Sequence, residues 1–600
     1  MPRCIKINGG GIMNKQNVNL LKVFISIIKL SPWRFFQEYL FTILDAIFLG
    51  LITIQLEKVF MNVIDFYNHK VDWTDVLSSL LILLAYNIFG QVSGGIASYY
   101  GEFYSDYSIQ HLLKELNHKI AKLSPISFED PKMMNLIESA TAGARSVRSV
   151  LNVVMDILCM YIPYFIFMGV YLYSLKPILC ISLLFVFFPV LLAQIIKKKY
   201  YGQLEEFQAP LRRKKTAYSR YITDRAYLKE TRSLRATSYF YRLFNKTAVN
   251  YYNLNYLFQR KANKVDAIAQ LLTLLGYGGV ILISIIGVIN GDIIAASFSA
   301  IYASLSNLFS LMEELFHWRM GEVAGVYGKV EKYITFLNFE EKEDATTLIE
   351  HDMSSIVLED VSFSYPTKKH VLQNINLTIK KGESVAIVGE NGSGKTTLSR
   401  LILGLYSPKD GDILYDGISA NRIHSSQIYN NSSAVFQNFN RYKMNLSNNI
   451  RISDVNKIDS SNNLMKCLNW VGLDEKNSKF FSGLDTVLSS EFGGIDLSGG
   501  EWQRIAIARG IYKNHNIIVL DEPTASIDPI QENEIFMKFN ELSNSAIKIV
   551  VTHRLAAVKY CTKIVVLEKG RIVAVGSHQA LLENSTEYSR LWNSQAKLYE

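Results

Sequence analysis

Between Ser384 and Ile402 the chain reads SVAIVGENGSGKTTLSRLI, and its Gly389-x4-Gly394-Lys395-Thr396 core has the spacing of a loop that holds phosphate. Gly389, Gly392 and Gly394 let successive backbone N–H groups turn inward as an anion nest, with Asn391 and Ser393 inside the same turn. The helix expected to start at Lys395 adds its dipole. Lys395 is placed to reach the outer phosphates, Thr396 to offer its hydroxyl to magnesium, and Thr397 follows in the first turn. A second apolar run, Ile517-Ile518-Val519-Leu520, ends in Asp521-Glu522. Asp521 stands where a phosphate-transfer site needs a carboxylate for magnesium, and Glu522 where a general base can polarise water.

This chemistry needs a strand before the loop and a helix after it. Ser384–Val388 is β-branched and apolar, and LSRLIL follows the loop with helical spacing. From Ile356 onward short β-branched runs punctuated by glycine predict an α/β domain over 356–600. An acidic stretch at 340–355 reads as a linker, and what precedes it has another character.

Over the whole chain 49% of residues are hydrophobic and 20% charged, with a mean hydropathy of +0.11. The apolar residues crowd the first half in runs of 18 to 20 residues or more, the length that crosses a bilayer. Six spans are predicted at Tyr39–Val63, Val76–Tyr99, Val150–Leu175, Pro177–Ile196, Val265–Asn290 and Ile293–Phe316. The segments 101–148 and 197–264 are long and basic, so the positive-inside rule puts them and both termini in the cytoplasm. They are expected to form two helical hairpins beyond the membrane, each with a short transverse helix at its tip. The first tip lies near Phe128-Glu129-Asp130-Pro131, with Asp130 as cap, and the second near Lys229–Arg232. Plain solvated loops are the competing reading. The expected domains are a cytosolic segment 1–35, a transmembrane domain 36–339, the linker and the α/β domain. Met1 and Met13 are both possible starts.

The net charge of +9 clusters beside the apolar runs, as orientation signals do, so no nucleic-acid partner is expected. The five cysteines are scattered without a CxxC pair, and neither a disulfide framework nor a zinc site is predicted. No cleavable secretory signal is read at the polar N-terminus.

Leu497-Ser498-Gly499-Gly500-Glu501 stands just before a helix and shortly ahead of Asp521, and with the phosphate loop it resembles the signature motif of ABC transporter ATPases. The resemblance covers the whole chain. It implies a helical membrane domain of six spans with long cytosolic extensions, fused to an α/β ATPase that binds ATP and Mg2+. In that family the Ser498, Gly499 and Gly500 equivalents bind the γ-phosphate held by a partner's loop. Tyr365 matches an aromatic that stacks on adenine, and Gln437 a contact to magnesium and the attacking water. Asp528 matches a loop crossing to the other subunit, His553 the γ-phosphate sensor, and Glu491 an acidic loop that touches the hairpins. Taken singly, Tyr365 is equally a strand cap, Gln437 a surface residue and His553 a core imidazole; their order along the chain favours the shared site. The family's usual Gln is Glu501 here, a change expected to tune activity.

One ATPase domain supplies only half of each composite site, so a homodimer is expected, with a heterodimer as alternative. The resemblance implies outward transport across the cytoplasmic membrane, in contact with membrane lipid, and is nearest to bacterial exporters of bacteriocins and lanthionine-containing peptides. The N-terminal cysteine peptidase some of them carry is lacking, so no leader trimming is expected. A drug or lipid exporter is the alternative, with a small-molecule cargo. Within the spans, Asp156 and Asp45 carry carboxylates costly to expose to lipid. They are expected to line the cavity or pair with neighbours, and a negative lining would favour a cationic peptide; a structural ion pair is the competing reading.

Overall fold

The computed structural model describes residues 18–340, 353–367, 370–457, 461–473, 479–522, 529–541 and 546–596. The chain divides into two compact units, one of Met1–Lys122 with Asn135–Glu340 and one of Leu123–Met134 with Glu341–Glu600.

The first unit is helical. Pro32–Tyr67, Trp73–Ala121, Pro131–Leu175, Thr237–Ile289 and Ala295–Leu337 are long and apolar enough to cross a membrane, and the predicted fourth span lies inside the helix Pro177–Thr223. The 49 residues of Trp73–Ala121 extend about 74 Å at 1.5 Å per residue, more than twice a ~30 Å hydrocarbon core. The helices therefore outrun the predicted spans: the first begins at Pro32 rather than Tyr39, and the last continues past Phe316 to Leu337.

Local chemistry sets the breaks. Pro32 and Pro177 occupy first helical turns, where a missing N–H costs nothing. Asp72 and Asp75 form a capping box, and Gly291 takes a φ of 77° between the last two long helices. The second hairpin tip is a short helix, Arg225–Ser233, whose Asp224 cap accepts from the Ala226 N–H at 3.0 Å. The first tip differs from expectation. It is a 3-10 turn, Pro125–Glu129, followed directly by the helix starting at Pro131. Asp130 does cap that helix, accepting from the Lys132 N–H at 2.9 Å. Its backbone is extended (φ −93°, ψ 112°), because the ring of Pro131 disfavours helical geometry in the residue before it.

Two of the long helices carry a π-helical turn, Ile157–Tyr161 in Pro131–Leu175 and Glu314–Arg319 in Ala295–Leu337. The same two helices touch at Gly143, where a Cβ would lie 2.1 Å from the Lys329 carbonyl oxygen. Buried charges are paired. Arg148, 1% exposed, donates to both Glu38 oxygens at 2.6–2.7 Å and lies over the Tyr104 ring. Lys197 binds Asp266 at 2.7–2.9 Å. Removing one member of such a pair would strand an unanswered charge.

The second unit holds two sheets. Strands β1 (Ser355–Phe363), β2 (Leu372–Lys380), β4 (Asp410–Tyr415) and β5 (Ile418–Ser419) form an antiparallel sheet ordered β2-β1-β4-β5. Strands β3 (Ser384–Gly389), β6 (Ser432–Val435), β7 (Ile517–Asp521), β8 (Ile547–Val551), β9 (Lys563–Glu568) and β10 (Arg571–Gly576) form the larger sheet, ordered β10-β9-β3-β8-β7-β6. It is parallel except for the β10 edge. β3, β7 and β8 are buried throughout, as their continuous apolar runs require for strands covered on both faces. Because β3 and β7 flank β8, their C-terminal ends bring Gly389 and Asp521 to one edge of the sheet, where ligands bind in open α/β sheets.

Candidate functional site

The phosphate loop leaves β3 at Gly389 and closes on the helix Lys395–Ile402. Gly389 and Gly394, at φ 152° and 107°, admit no side chain: a Cβ on Gly389 would meet the Leu567 carbonyl at 2.1 Å. Lys395 spans the loop, its Nζ donating to the Gly389 and Glu390 carbonyls at 2.8 and 3.0 Å. Burial lowers its ammonium below the ordinary value, against the pull of Glu522 and Asp521. The Ser393 hydroxyl is buried without a hydrogen-bond partner among the described residues.

Thr396 donates to Asp521 Oδ1 at 3.3 Å, while Asp521 Oδ2 is buried with no partner among the described residues. Burial pushes the Asp521 carboxyl up to about 6, opposed by the Thr396 hydrogen bond and reinforced by Glu522. An unanswered carboxylate oxygen beside a threonine hydroxyl is a hard oxygen donor set.

Glu522 leaves β7 with φ 47°, a left-handed backbone that is rare outside glycine. Two residues converge on it. Gln437 Nε2 donates to Oε2 at 2.6 Å, and His553 Nδ1 lies 3.2 Å from Oε1. Gln437 follows β6 and His553 follows β8, the outer and inner neighbours of β7 in the sheet. The three residues that sequence order alone associated are thus one hydrogen-bonded group.

Tyr365 lies half-buried after β1. Its hydroxyl bonds Thr397 at 3.1 Å, and its ring meets Phe363 and Tyr406 edge-on. Asp528 falls outside the described residues. Ser498 caps the helix Gly499–Tyr512, and Gly499 and Gly500 form its first turn. The Ser498 N–H and hydroxyl donate to Glu501 Oε2 at 2.7 and 2.8 Å, and Lys479 donates to both Glu501 oxygens at 2.7 Å. Glu491 pairs with Lys443 at 2.5 Å.

Sequence reasoning missed three contributors. Glu129, in the first hairpin tip, accepts from Tyr406 at 2.9 Å and pairs with Arg400, on the phosphate-loop helix, at 3.6 Å. Lys479 is the cation beside the signature turn. Arg590, on the helix Thr586–Ala596, pairs with Glu390 at 2.9 Å, and Gln595 of that helix donates to the His553 carbonyl. A cavity of about 190 Å³ there is lined by Gly389, Glu390, Asn391, His553, Leu591 and Gln595.

In the helical unit, Asp156 precedes one π turn and pairs at 3.5 Å with Arg319, which ends the other. Arg319 also binds Glu314 at 3.1 Å. A cavity of about 700 Å³ next to them is lined by residues including Lys197, Asp266, Glu314, Trp318, Arg319 and Glu322. The acidic residues lining this cavity are Asp266, Glu314 and Glu322. Asp156 meets it through Arg319, and Asp45 packs on the glycine face of Trp73–Ala121, where a Cβ on Gly94 would sit 3.2 Å from its Oδ2.

Comparison with known proteins agrees with this geometry. The ABC transporter family matches residues 372–525. The subtilin transport ATP-binding protein SpaT of Bacillus subtilis is 28% identical, over 96% of this chain and 95% of its own length. The nisin transport ATP-binding protein NisT of Lactococcus lactis subsp. lactis is 32% identical over 66% of this chain and 67% of its own. The ATP-dependent lipid A-core flippase of Escherichia coli (strain K12) is 31% identical over 52% of this chain and 53% of its own. A solved bacterial Atm1-family ABC exporter with ATP bound superposes with a TM-score of 0.72 at 20% identity, covering 95% of this chain and 99% of that one.

Proposed function

This chain belongs to the ABC transporter family and is a multi-pass exporter that binds and hydrolyses ATP to drive transport, and from that premise we propose that it carries a modified, cationic peptide such as a bacteriocin out of the cytoplasm. The observation that carries the reading is the relation to SpaT along both chains nearly end to end, a protein named for subtilin transport. A lipid cargo is the second reading, since the relative named as a lipid A-core flippase aligns over about half of each chain.

Glu522 is the proposed base, oriented by Gln437 and His553. Lys395 and the loop amides from Gly389 to Thr397 hold the phosphates, with Tyr365 and Asp528 on the nucleotide's flanks. Thr396 and Asp521, with Gln437, would hold Mg2+, which bound there neutralises phosphate charge; the unpartnered Asp521 oxygen suits it. The unit is proposed to be a homodimer whose ATP sites join one chain's phosphate loop to the other's Ser498-Gly499-Gly500. In favour of that sharing, the chain carries one phosphate loop, at Gly389–Thr396, and one signature turn, at Ser498–Gly500. ATP binding then closes two ATPase units in the cytosol, and hydrolysis releases them.

In the helical unit three carboxylates face two cations around the cavity, and a cationic cargo group would compete with Arg319 for Asp156 and Glu314. The test is ATPase and transport in inside-out vesicles. A cationic peptide should stimulate ATP hydrolysis and accumulate inside, and Asp156→Asn and Glu314→Gln should abolish stimulation at unchanged basal rate and Tm. Stimulation by lipid alone, with no peptide uptake, sinks the peptide reading.

A further inference from the structure

The signature turn carries a glutamate where an amide is usual, and the structure shows how its charge is answered. Glu501 is the third residue of the helix Gly499–Tyr512, and its Oε2 accepts both the N–H and the hydroxyl of Ser498, at 2.7 and 2.8 Å. The Glu501 N–H returns a bond to the Ser498 oxygen at 3.3 Å, completing a capping box. An amide in this place offers an N–H to an incoming phosphate; a carboxylate offers only acceptors. A second negative charge would therefore sit beside the polyphosphate that this turn has to approach, and like charges brought together oppose association.

Lys479 removes that charge. Its Nζ binds both Glu501 oxygens at 2.7 Å, with the lysine 38% and the glutamate 25% exposed at the side chain. Burial alone would raise the Glu501 carboxyl; the hydrogen bonds from Lys479 and Ser498 outweigh it and keep the group below its ordinary value, ionised at neutral pH. The lysine lies outside the signature motif in sequence and meets it at the glutamate.

We infer that Lys479 is a positioning residue for ATP hydrolysis: it neutralises Glu501 and fixes the carboxylate that orients Ser498, so that the signature turn can engage the terminal phosphate of a nucleotide held by a second copy of this chain. The inference rests on the shared-site reading above. It makes Lys479 and Glu501 a coupled pair. A lysine is needed because a glutamate is present, and should matter far less if the amide were restored.

The test is ATPase kinetics of the full-length chain reconstituted in lipid, for Lys479→Met, Lys479→Arg, Glu501→Gln, Ser498→Ala and the double variant Lys479→Met/Glu501→Gln. Lys479→Met should raise KM for ATP roughly tenfold through the uncovered charge, with a smaller change in kcat. Binding of a fluorescent ATP analogue to the phosphate loop should not move, and Lys479→Arg should restore the native KM. Added to Glu501→Gln, Lys479→Met should shift KM by less than about twofold, the signature of coupled sites. An unchanged KM in the native background overturns the inference. So does an equal loss in both backgrounds, which is what a folding defect would produce. Ser498→Ala keeps the two readings apart. If it hydrolyses ATP normally, the shared site itself is wrong; if it is inactive while Lys479→Met keeps its KM, only the role of Lys479 falls.

Discussion

Glu522 sits in a backbone conformation that glutamate rarely adopts, and Gln437 and His553 hold its carboxylate from either side. Strain kept at one residue by its neighbours is the usual mark of a group held for chemistry. Glu522→Gln retains shape and hydrogen bonding but cannot accept a proton. Its steady-state ATPase should fall by at least ~100-fold while ATP binding persists, and an ATP-bound dimer should accumulate on size exclusion. Turnover within about tenfold of wild type would remove Glu522 from the base role. The neighbouring Asp521, raised to about 6 from 3.8, carries a pH signature. Its folded-state pKa lies above the unfolded value, so its contribution to stability is present below pH 3.8 and lost as pH rises through about 6. Metal binding runs the other way, because it needs the ionised form. Magnesium affinity measured by calorimetry should drop with a one-proton slope below about pH 6, and Asp521→Asn should abolish the slope. Both acids were legible because they end an apolar run. Gln437 and His553 each looked ordinary, and only the β6-β7-β8 adjacency brings them to one carboxylate. Lys479 gave no signal, since a lysine in a polar stretch looks like any surface charge.

The long helices show what hydropathy can and cannot read. Their apolar stretches were legible, and so was their continuation as helical hairpins over 101–148 and 197–264, where Pro131–Asp156 runs as helix on polar sequence; the outer ends were not, because the last helix continues past its apolar stretch through Met320–Leu337. The π turns were illegible as well. Each inserts one residue into a helical pattern that remains apolar on both sides, and nothing in the composition marks the insertion. Arg319, beyond the predicted end of the last span, was missed as the partner of Asp156 for the same reason. Gly143 marks where two of these helices meet without room for a side chain. Gly143→Val should force the helices apart and cost about 1–3 kcal/mol, read as a lower Tm in detergent and increased exposure of cysteines introduced at the crossing. An unchanged Tm would mean that Lys329 and Tyr333 yield freely.

At the scale of the molecule, the proposed sharing of sites is tested by mixing. Lys395→Ala and Ser498→Ala each damage both sites of a homodimer. A mixed dimer has one site doubly broken and one intact, so co-reconstituted mutants should recover ATPase above either parent, up to a few tenths of the wild-type rate if single sites turn over. No recovery, while labelled subunits demonstrably mix, would count against shared sites or against two identical chains. The proposal of a second chain comes from one phosphate loop accompanied by one signature, both legible in the sequence. That the second compact unit is discontinuous in sequence was not, since Leu123–Met134 is separated from the rest of it by the other helices. Ile126 packs against the hydrophobic core of that unit, and Glu129 completes the Arg400–Tyr406 cluster. A fragment begun at Glu341 for biophysical work would therefore be cut along the wrong seam. It would present the seat of Ile126 bare to water and leave Arg400 without its acid, so poor yield of such a fragment would report the missing peptide rather than an unstable ATPase, and adding a synthetic peptide spanning Leu123–Met134 is the remedy to try first.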